Sequence, residues 1–268
     1  MRLCSFQGVD GPRPGLVVGD TVTPLAVGSA LDVIRGADAV PAGDPIALSD
    51  VILEPPVTPG AALGIGLNYR AHADETGMTP PDEPLLFAKM RGSITRPSGP
   101  VLLPPWTRAL DYEGELGVVI GRTARDVAVA DALDHVFGYV VVDDVSARDR
   151  QRSEPQWIRA KSGATFMPMG PWITSADEVG DPQDLRIRTW VNGELRQDTS
   201  TADMIFGVAD LVAFTSTVFP LEPGDVIATG TPSGVGVGME PKRFLADGDV
   251  IRIEIDRLGA IEHAVVAR

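Results

Sequence analysis

The sequence predicts an α+β fold that is mostly β. Glycine (29) and proline (23) are abundant among the 268 residues, and aromatic side chains make up only 6%. Many short runs of β-branched residues lie between these turn-forming residues, a pattern typical of short strands joined by tight turns. Helical segments are too few to cover both faces of a parallel sheet, which argues against a doubly wound fold.

The chain is expected to divide into a small N-terminal α/β unit, residues 1–58, and a larger unit, residues 59–268. In the first unit, 15–25 predicts two strands around a Gly-Asp turn and 30–35 predicts a short helix. The proline-rich stretch 53–59 has the composition of a linker or crossover, and it sets the expected boundary.

The larger unit alternates apolar strands with short helices and loops. Helical segments are predicted at 68–75, at 131–137 with Gly138 ending the helix, and after Thr201, which is expected to cap a helix. Strands are predicted at 62–67, 85–89, 115–120, 139–144, 225–229 and 249–255, with an Asn-Gly hairpin at 189–196.

Composition excludes several classes of partner. The net charge of −14 and pI of about 4.6 argue against nucleic acid and anionic membranes, since both require a basic surface. The single cysteine, Cys4, allows neither an intrachain disulfide nor a thiolate metal site. Neither a signal peptide nor a membrane-spanning run is recognised, so the cytoplasm is the expected compartment.

Two glutamates at i and i+2 of a strand are the most informative feature. Side chains alternate along a strand, so Glu113 and Glu115 point the same way. Two like charges on one face of an apolar strand repel each other and lose hydration, and a divalent cation between them would offset that cost. The alternative is an exposed edge strand flanked by two solvated acids, and spacing alone does not separate the two interpretations.

A third oxygen ligand is expected from Asp144, which follows the apolar strand 139–144. Three carboxylates suit Mg²⁺, Mn²⁺ or Ca²⁺. The chain has no histidine cluster or thiolate that would favour zinc.

His72 is a candidate general base. Glu75 lies three residues after it on a predicted helical turn, so the carboxylate is within hydrogen-bonding reach of the imidazole. The flanking glycines and prolines suit a mobile lid. The alternative is a solvated polar pair, but the other two histidines are weaker candidates. His135 is near a helix end and His263 is in the last strand.

Two further segments suit an anionic ligand. Lys161 lies among small residues, where an ammonium would bind a carboxylate or stabilise an enolate, although most lysines are solvated. The glycine-rich loop 229–236 offers backbone N–H groups to an anion but lacks the end of a phosphate-binding loop. A small carboxylate fits better than a nucleotide, and a plain tight turn is the alternative.

Taken together, these segments resemble the fumarylacetoacetate hydrolase family. They occur in the order in which that family has them, from about residue 64 to the C-terminus. The matching elements are Asn68-Tyr69, His72 with Glu75, Glu113-Gly114-Glu115, 144–149, Lys161-Ser162, Gly170-Pro171-Trp172, 191–194 and 229–236.

The resemblance implies a mixed β-roll catalytic domain, a homodimer, and Mg²⁺ or Mn²⁺ held by Glu113, Glu115 and Asp144. It also implies that Lys161 is catalytic beside His72 and Glu75. The residues that the resemblance places at the substrate are Arg148, Gln151, Gly230 and Thr231.

The His72–Glu75 pair matches the lid dyad of members that hydrolyse or decarboxylate pyruvate-like compounds. The expected reaction is therefore hydrolysis of a 2,4-dioxo acid to pyruvate and a second acid. Oxaloacetate decarboxylation and isomerisation or hydration of an unsaturated 2-oxo acid are alternatives within the family. A carboxylate-binding scaffold without activity is the alternative outside enzymes.

Overall fold

A computed structural model describes the whole chain, Met1–Arg268, and confirms the predicted α+β, mostly β class. The strands are β1 (Arg2–Gly8), β2 (Gly11–Val18), β3 (Thr21–Pro24), β4 (Ile46–Ala47), β5 (Leu53–Glu54), β6 (Ala62–Gly66), β7 (Leu85–Lys89), β8 (Ile94–Thr95), β9 (Val101–Leu103), β10 (Leu110–Asp111), β11 (Gly114–Ile120), β12 (Val136–Asp143), β13 (Ser146–Ala147), β14 (Met167–Ser175), β15 (Arg186–Val191), β16 (Glu194–Ser200), β17 (Val226–Ala228), β18 (Val250–Ile255) and β19 (Gly259–Ala267).

The helices are short and peripheral to the sheets. The α-helices are α1 (Ala30–Ile34), α2 (Arg70–Thr76), α3 (Arg148–Ser153), α4 (Ile158–Lys161), α5 (Ala176–Val179) and α6 (Val208–Val218). The 3₁₀ turns are Leu48–Asp50, Arg91–Ser93, Val129–His135, Thr201–Asp203 and Gly236–Gly238. No helix has the length and hydropathy required to cross a lipid bilayer.

The strands form a large mixed sheet, a second sheet and a small ribbon. The large sheet has the order β4-β3-β2-β1-β14-β12-β11-β17-β6-β7, with β5 beside β1 and β8 beside β14. The second has the order β16-β15-β18-β19-β9, and β10 pairs with β13. Apolar side chains of β11, β15 and β18 belong to one buried cluster, so the two sheets share a core.

The N-terminal residues extend the large sheet. β1 pairs antiparallel with β14, with Leu3 opposite Ile173. A small separate cluster of buried side chains, which includes Cys4 and Phe6, packs on the outer strands. The division at residues 58 and 59 stays a prediction, because pairing to a distant strand does not by itself define or exclude a domain boundary.

The Asn-Gly hairpin forms as predicted. Asn192 and Gly193 both have positive φ, 52° and 78°, and they join β15 to β16. This turn type matches the right-handed twist of the strands that it connects.

Two predicted helix signals were wrong. Gly138 does not end a helix: the turn Val129–His135 is 3₁₀, and Gly138 lies inside β12. Thr201 does not cap the long helix, which begins at Val208 after Gly207. The buried Thr201 hydroxyl instead accepts a hydrogen bond from the N–H of Leu185 at 3.0 Å. In both places a tertiary contact, rather than helix capping, accounts for the residue.

Replacing Gly138 with alanine is expected to lower the free energy of unfolding by about 2 kcal/mol. A Cβ at this position would lie 2.3 Å from the carbonyl oxygen of Thr174, so β12 and β14 would have to separate. Urea denaturation measures the change. Gly92→Ala is the matched control, because a Cβ there meets no atom within 4 Å. Equal stability of both variants would contradict the close-approach explanation.

Candidate active site

Three carboxylates converge where β11 and β12 pair. Gly114 lies opposite Asp143, so the residues that flank them meet at one end of the strand pair. The N–H of Asp144 donates to the carbonyl oxygen of Glu113 at 2.9 Å. Carboxylate oxygens of Glu113, Glu115 and Asp144 lie within 4.8 Å of one another, and all three residues are buried. β11 lies between β12 and β17, so an exposed edge strand is excluded.

Two buried lysines form ion pairs with two of these acids. The Lys161 ammonium donates to Glu113 Oε2 at 2.6 Å and to Asp144 Oδ2 at 2.7 Å. Lys89, at the end of β7, contacts Asp144 Oδ1 and donates to the carbonyl oxygen of Phe166 at 2.9 Å. Both lysines are buried, so the solvated-lysine alternative for Lys161 is wrong.

An arginine completes the cluster. Arg148 Nη1 lies 2.5 Å from Glu113 Oε1, and its Nε donates to Asp111 Oδ2 at 2.8 Å. The remaining Nη2 is buried and has no partner in the chain. Arg148 therefore orients Glu113 and retains the NH₂ group of Nη2 for a further acceptor.

Glu115 is the acid of this triad that no lysine or arginine contacts, whereas Lys89, Lys161 and Arg148 pair with Asp144 and Glu113. Burial by itself raises the pKa of Glu113, but the charges of Arg148 and Lys161 outweigh it and hold the pKa below its ordinary range. Burial, reinforced by the charges of Asp144 and Glu113, raises the pKa of Glu115 well above its ordinary value. A cation among the three carboxylates would relieve this repulsion.

The donor set therefore fits a divalent metal ion. The carboxylate oxygens are hard ligands of the kind that Mg²⁺ and Mn²⁺ prefer, and Glu115 contacts no lysine or arginine, receiving only the Gly230 N–H at 2.9 Å. The buried triad of Glu113, Glu115 and Asp144 could hold such an ion.

Behind the triad lies a pair that the sequence interpretation missed. Asp143 Oδ1 accepts the N–H of Glu113 at 2.9 Å, and its Oδ2 lies 2.9 Å from His263 Nε2. Both side chains are fully buried. The sequence did not reveal a role for His263, because its partner Asp143 is 120 residues away in the chain.

His72 and Glu75 form the predicted pair on α2. His72 Nδ1 lies 3.3 Å from Glu75 Oε2, and Glu75 Oε1 accepts the N–H of Gly234 at 2.9 Å. The carboxylate is thus fixed to the glycine-rich loop and in turn orients the imidazole. The start of the helix is also anchored, because Arg70 Nη1 donates to the carbonyl oxygen of Met204 at 2.8 Å.

The glycine-rich loop 229–236 does bind anions, but those anions are carboxylates of the protein itself. The N–H groups of Gly230, Gly234 and Gly236 donate to Glu115, Glu75 and Asp111 respectively, at 2.8–2.9 Å. Gly230 has a φ of 97°, and a Cβ there would meet the Cβ of Asn68 at 2.8 Å, so the turn requires glycine. A direct contact of Gly230 with substrate stays a prediction.

The other predicted substrate residues have defined partners. Thr231 donates to the carbonyl oxygen of Gly114 at 3.1 Å and accepts from Gln197 Nε2 at 2.8 Å. Gln151 Oε1 accepts from Arg148 Nη1 at 3.0 Å. Gln197 is a further residue that the sequence did not reveal, because nothing near it in the hairpin distinguishes it from a surface glutamine.

Several of these side chains line one cavity of about 260 Å³. It brings together the predicted base, one predicted metal ligand, the lysine and three of the four predicted substrate residues. Its lining comprises Ile65, Gly66, Leu67, His72, Thr76, Met78, Glu113, Arg148, Gln151, Arg152, Trp157, Lys161, Thr231 and Val237. A concave site with convergent charged groups is the expected form of an active site.

The fold and this cluster define a class of enzyme. A family profile described as the fumarylacetoacetate hydrolase C-terminal domain matches residues 61–266. The chain belongs to this family, as the ordered motifs predicted.

Individual relatives differ in their named reactions. The chain is 39% identical to the mitochondrial oxaloacetate tautomerase of Xenopus laevis, over 99% of this chain and 90% of that protein. It is 41% identical to 2,4-didehydro-3-deoxy-L-rhamnonate hydrolase of a Sphingomonas strain, over 97% and 94%. The crystal structure of fumarylacetoacetate hydrolase from Exiguobacterium antarcticum superimposes with a TM-score of 0.91 and 39% identity, covering 100% of both chains.

Proposed function

We propose that the protein is a Mg²⁺- or Mn²⁺-dependent hydrolase that cleaves the C3–C4 bond of a 2,4-dioxo acid, yielding pyruvate and a second carboxylic acid. One observation carries the proposal: His72, which Glu75 orients, lines the same cavity as Glu113 and Lys161. A scaffold that only bound carboxylates would need the cations but no oriented base.

The similarity to the Sphingomonas enzyme supports the substrate class. The name of its substrate denotes a sugar acid oxidised at C2 and C4 and lacking a hydroxyl at C3, which is a 2,4-dioxo acid. The C3–C4 bond of such a compound is weakened because the electron pair left on C3 is delocalised onto the 2-oxo group. A site that stabilises this enolate lowers the barrier to cleavage.

The chain's own residues account for the proton transfers in this reaction. Pairing of His72 Nδ1–H with Glu75 leaves Nε2 free to take a proton from water. The water oxygen bonds to C4, and the C3–C4 bond breaks with its electron pair entering the pyruvate enolate. Protonated His72 then returns its proton to C3, which completes pyruvate. Lys161 lines the cavity, and its positive charge would stabilise the developing enolate. A divalent cation held by Glu113, Glu115 and Asp144 would supply Lewis-acid polarisation of the 2-oxo acid.

Oxaloacetate tautomerisation is the second candidate, favoured by the Xenopus relative, whose match spans nearly this entire chain. This reaction needs a 2-oxo acid group bound in the same place and the same base, His72. The base moves a proton to and from C3 of the substrate, and no water is consumed. A decarboxylase would instead release CO₂ from the same compound.

Parallel assays with Mg²⁺ separate these reactions. With acetylpyruvate, we expect acetate and pyruvate in equal amounts, quantified by coupled reduction of pyruvate. With oxaloacetate, loss of enol absorbance without CO₂ or pyruvate identifies tautomerisation. Turnover of oxaloacetate alone would overturn the hydrolase assignment in favour of the tautomerase, or of the decarboxylase when pyruvate and CO₂ appear.

A further inference from the structure

The cavity is lined by buried charged groups, by apolar side chains and by one exposed cation. The buried charged groups are Glu113, Arg148 and Lys161, and we call this part of the lining the floor. The apolar lining residues, which we call the walls, are Ile65, Leu67, Met78, Trp157 and Val237. Arg152 also lines the cavity but is exposed, which places it where the cavity meets solvent.

Helix α3 directs Arg152 to this position. Arg148, Gln151 and Arg152 are at i, i+3 and i+4 of the helix, so they share one face. Arg148 is at the floor, and its Nη1 donates a hydrogen bond of 3.0 Å to the half-buried Gln151. Arg152 therefore continues the same line of polar groups outwards.

Arg152 differs from the arginines around it in having no partner. Arg150 donates to the carbonyl oxygen of Trp106, and Arg159 pairs with Glu154. The side chain of Arg152 makes no hydrogen bond or ion pair within the chain, although acidic residues outnumber basic ones by 37 to 23. An unpaired guanidinium at the mouth of a cavity is available to a carboxylate of a ligand.

We propose that Arg152 selects substrates with a second, distal carboxylate, so that the preferred ligands are 2-oxo dicarboxylic acids; this rests on the proposed function for the position of the 2-oxo acid end. The 2-oxo acid group lies at the floor, an apolar segment passes the walls, and the far carboxylate reaches Arg152. The small cavity volume limits this segment to a short chain.

A matched pair of ligands tests the assignment. 2-Oxoadipate and 2-oxohexanoate have the same carbon chain length, and only the first ends in a carboxylate. Calorimetry with Mg²⁺ is expected to show tighter binding of 2-oxoadipate by the wild type. Arg152→Gln should lower the affinity for 2-oxoadipate roughly tenfold and leave the affinity for 2-oxohexanoate unchanged. Arg152→Lys should retain part of the preference.

Arg159→Gln is the control, because Arg159 is also an exposed arginine nearby but does not line the cavity. The proposal is overturned if the wild type shows no preference for 2-oxoadipate. It is also overturned if Arg152→Gln lowers the affinity for both ligands equally, or for neither; Arg152 is then a solvated surface residue. The same preference in a protein that cleaves no 2,4-dioxo acid supports the Arg152 assignment and rejects only the proposed reaction.

Discussion

Replacing His72 with alanine is expected to lower kcat for acetylpyruvate by about a thousandfold while leaving Mg²⁺ affinity unchanged. His72 is the cavity-lining histidine oriented by a carboxylate, and it does not belong to the acidic triad. Steady-state kinetics measures the first effect, and calorimetric titration with Mg²⁺ measures the second.

Glu75→Gln provides the graded comparison for this experiment. It keeps an oxygen that can accept the N–H of Gly234 but removes the charge that orients the imidazole. We expect a smaller fall in kcat than for His72→Ala, because the base remains. Full activity of His72→Ala would refute the assignment of the base. Joint loss of activity and metal binding would instead show that the histidine supports the triad.

Replacing Glu115 with glutamine is expected to change stability and metal binding in opposite directions. Glutamine keeps the acceptor for the Gly230 N–H and removes one of three mutually repelling carboxylates. Chelator-treated protein should therefore become more stable, by about 1 kcal/mol, while Mg²⁺ affinity falls about a hundredfold. Thermal unfolding with and without Mg²⁺ measures both effects.

The stability of the chelator-treated wild type should depend on pH in a defined direction. Burial, with the Asp144 and Glu113 charges, raises the folded-state pKa of Glu115 above that of the unfolded chain. Its contribution to stability is therefore present at low pH and is lost as pH rises through and above the ordinary glutamate range. Chelator-treated wild type should show this loss, and Glu115→Gln should show less of it.

Asp144→Asn is the contrasting variant, because Asp144 contacts both Lys89 and Lys161. Removing its charge leaves two buried ammonium groups without a full partner, so we expect lower stability as well as weaker metal binding. If Glu115→Gln destabilised the chelator-treated protein as strongly as Asp144→Asn, the repulsion assigned to the unpaired carboxylate of Glu115 would be disproved.

Much of the local structure follows from short-range patterns. The strand β7 coincides with the predicted range 85–89, and the Asn192-Gly193 turn adopts the positive φ values that its residue types favour. The i, i+2 spacing of Glu113 and Glu115 predicted that their side chains point the same way, and both carboxylates do lie beside that of Asp144. These features depend on neighbours in the chain, and neighbours are visible in a sequence.

The wrong helix predictions show where local patterns end. Gly138 and Thr201 have residue types that also occur at helix ends, yet each is needed for a contact with a distant strand or loop. Residue type alone does not distinguish a helix cap from a site of close approach, since both favour the same small or hydroxylated residues.

By itself, the sequence determined the mostly β class, the three candidate acidic ligands and the pairing of His72 with Glu75. The tertiary structure decided which cations balance those acids, that Asp143 and His263 stand behind Glu113, and that the glycine-rich loop binds the protein's own carboxylates. The physical reason is separation: Lys89 is 55 residues from Asp144, and His263 is 120 residues from Asp143. Burial of a charge becomes favourable only when strand pairing has brought its partner to it.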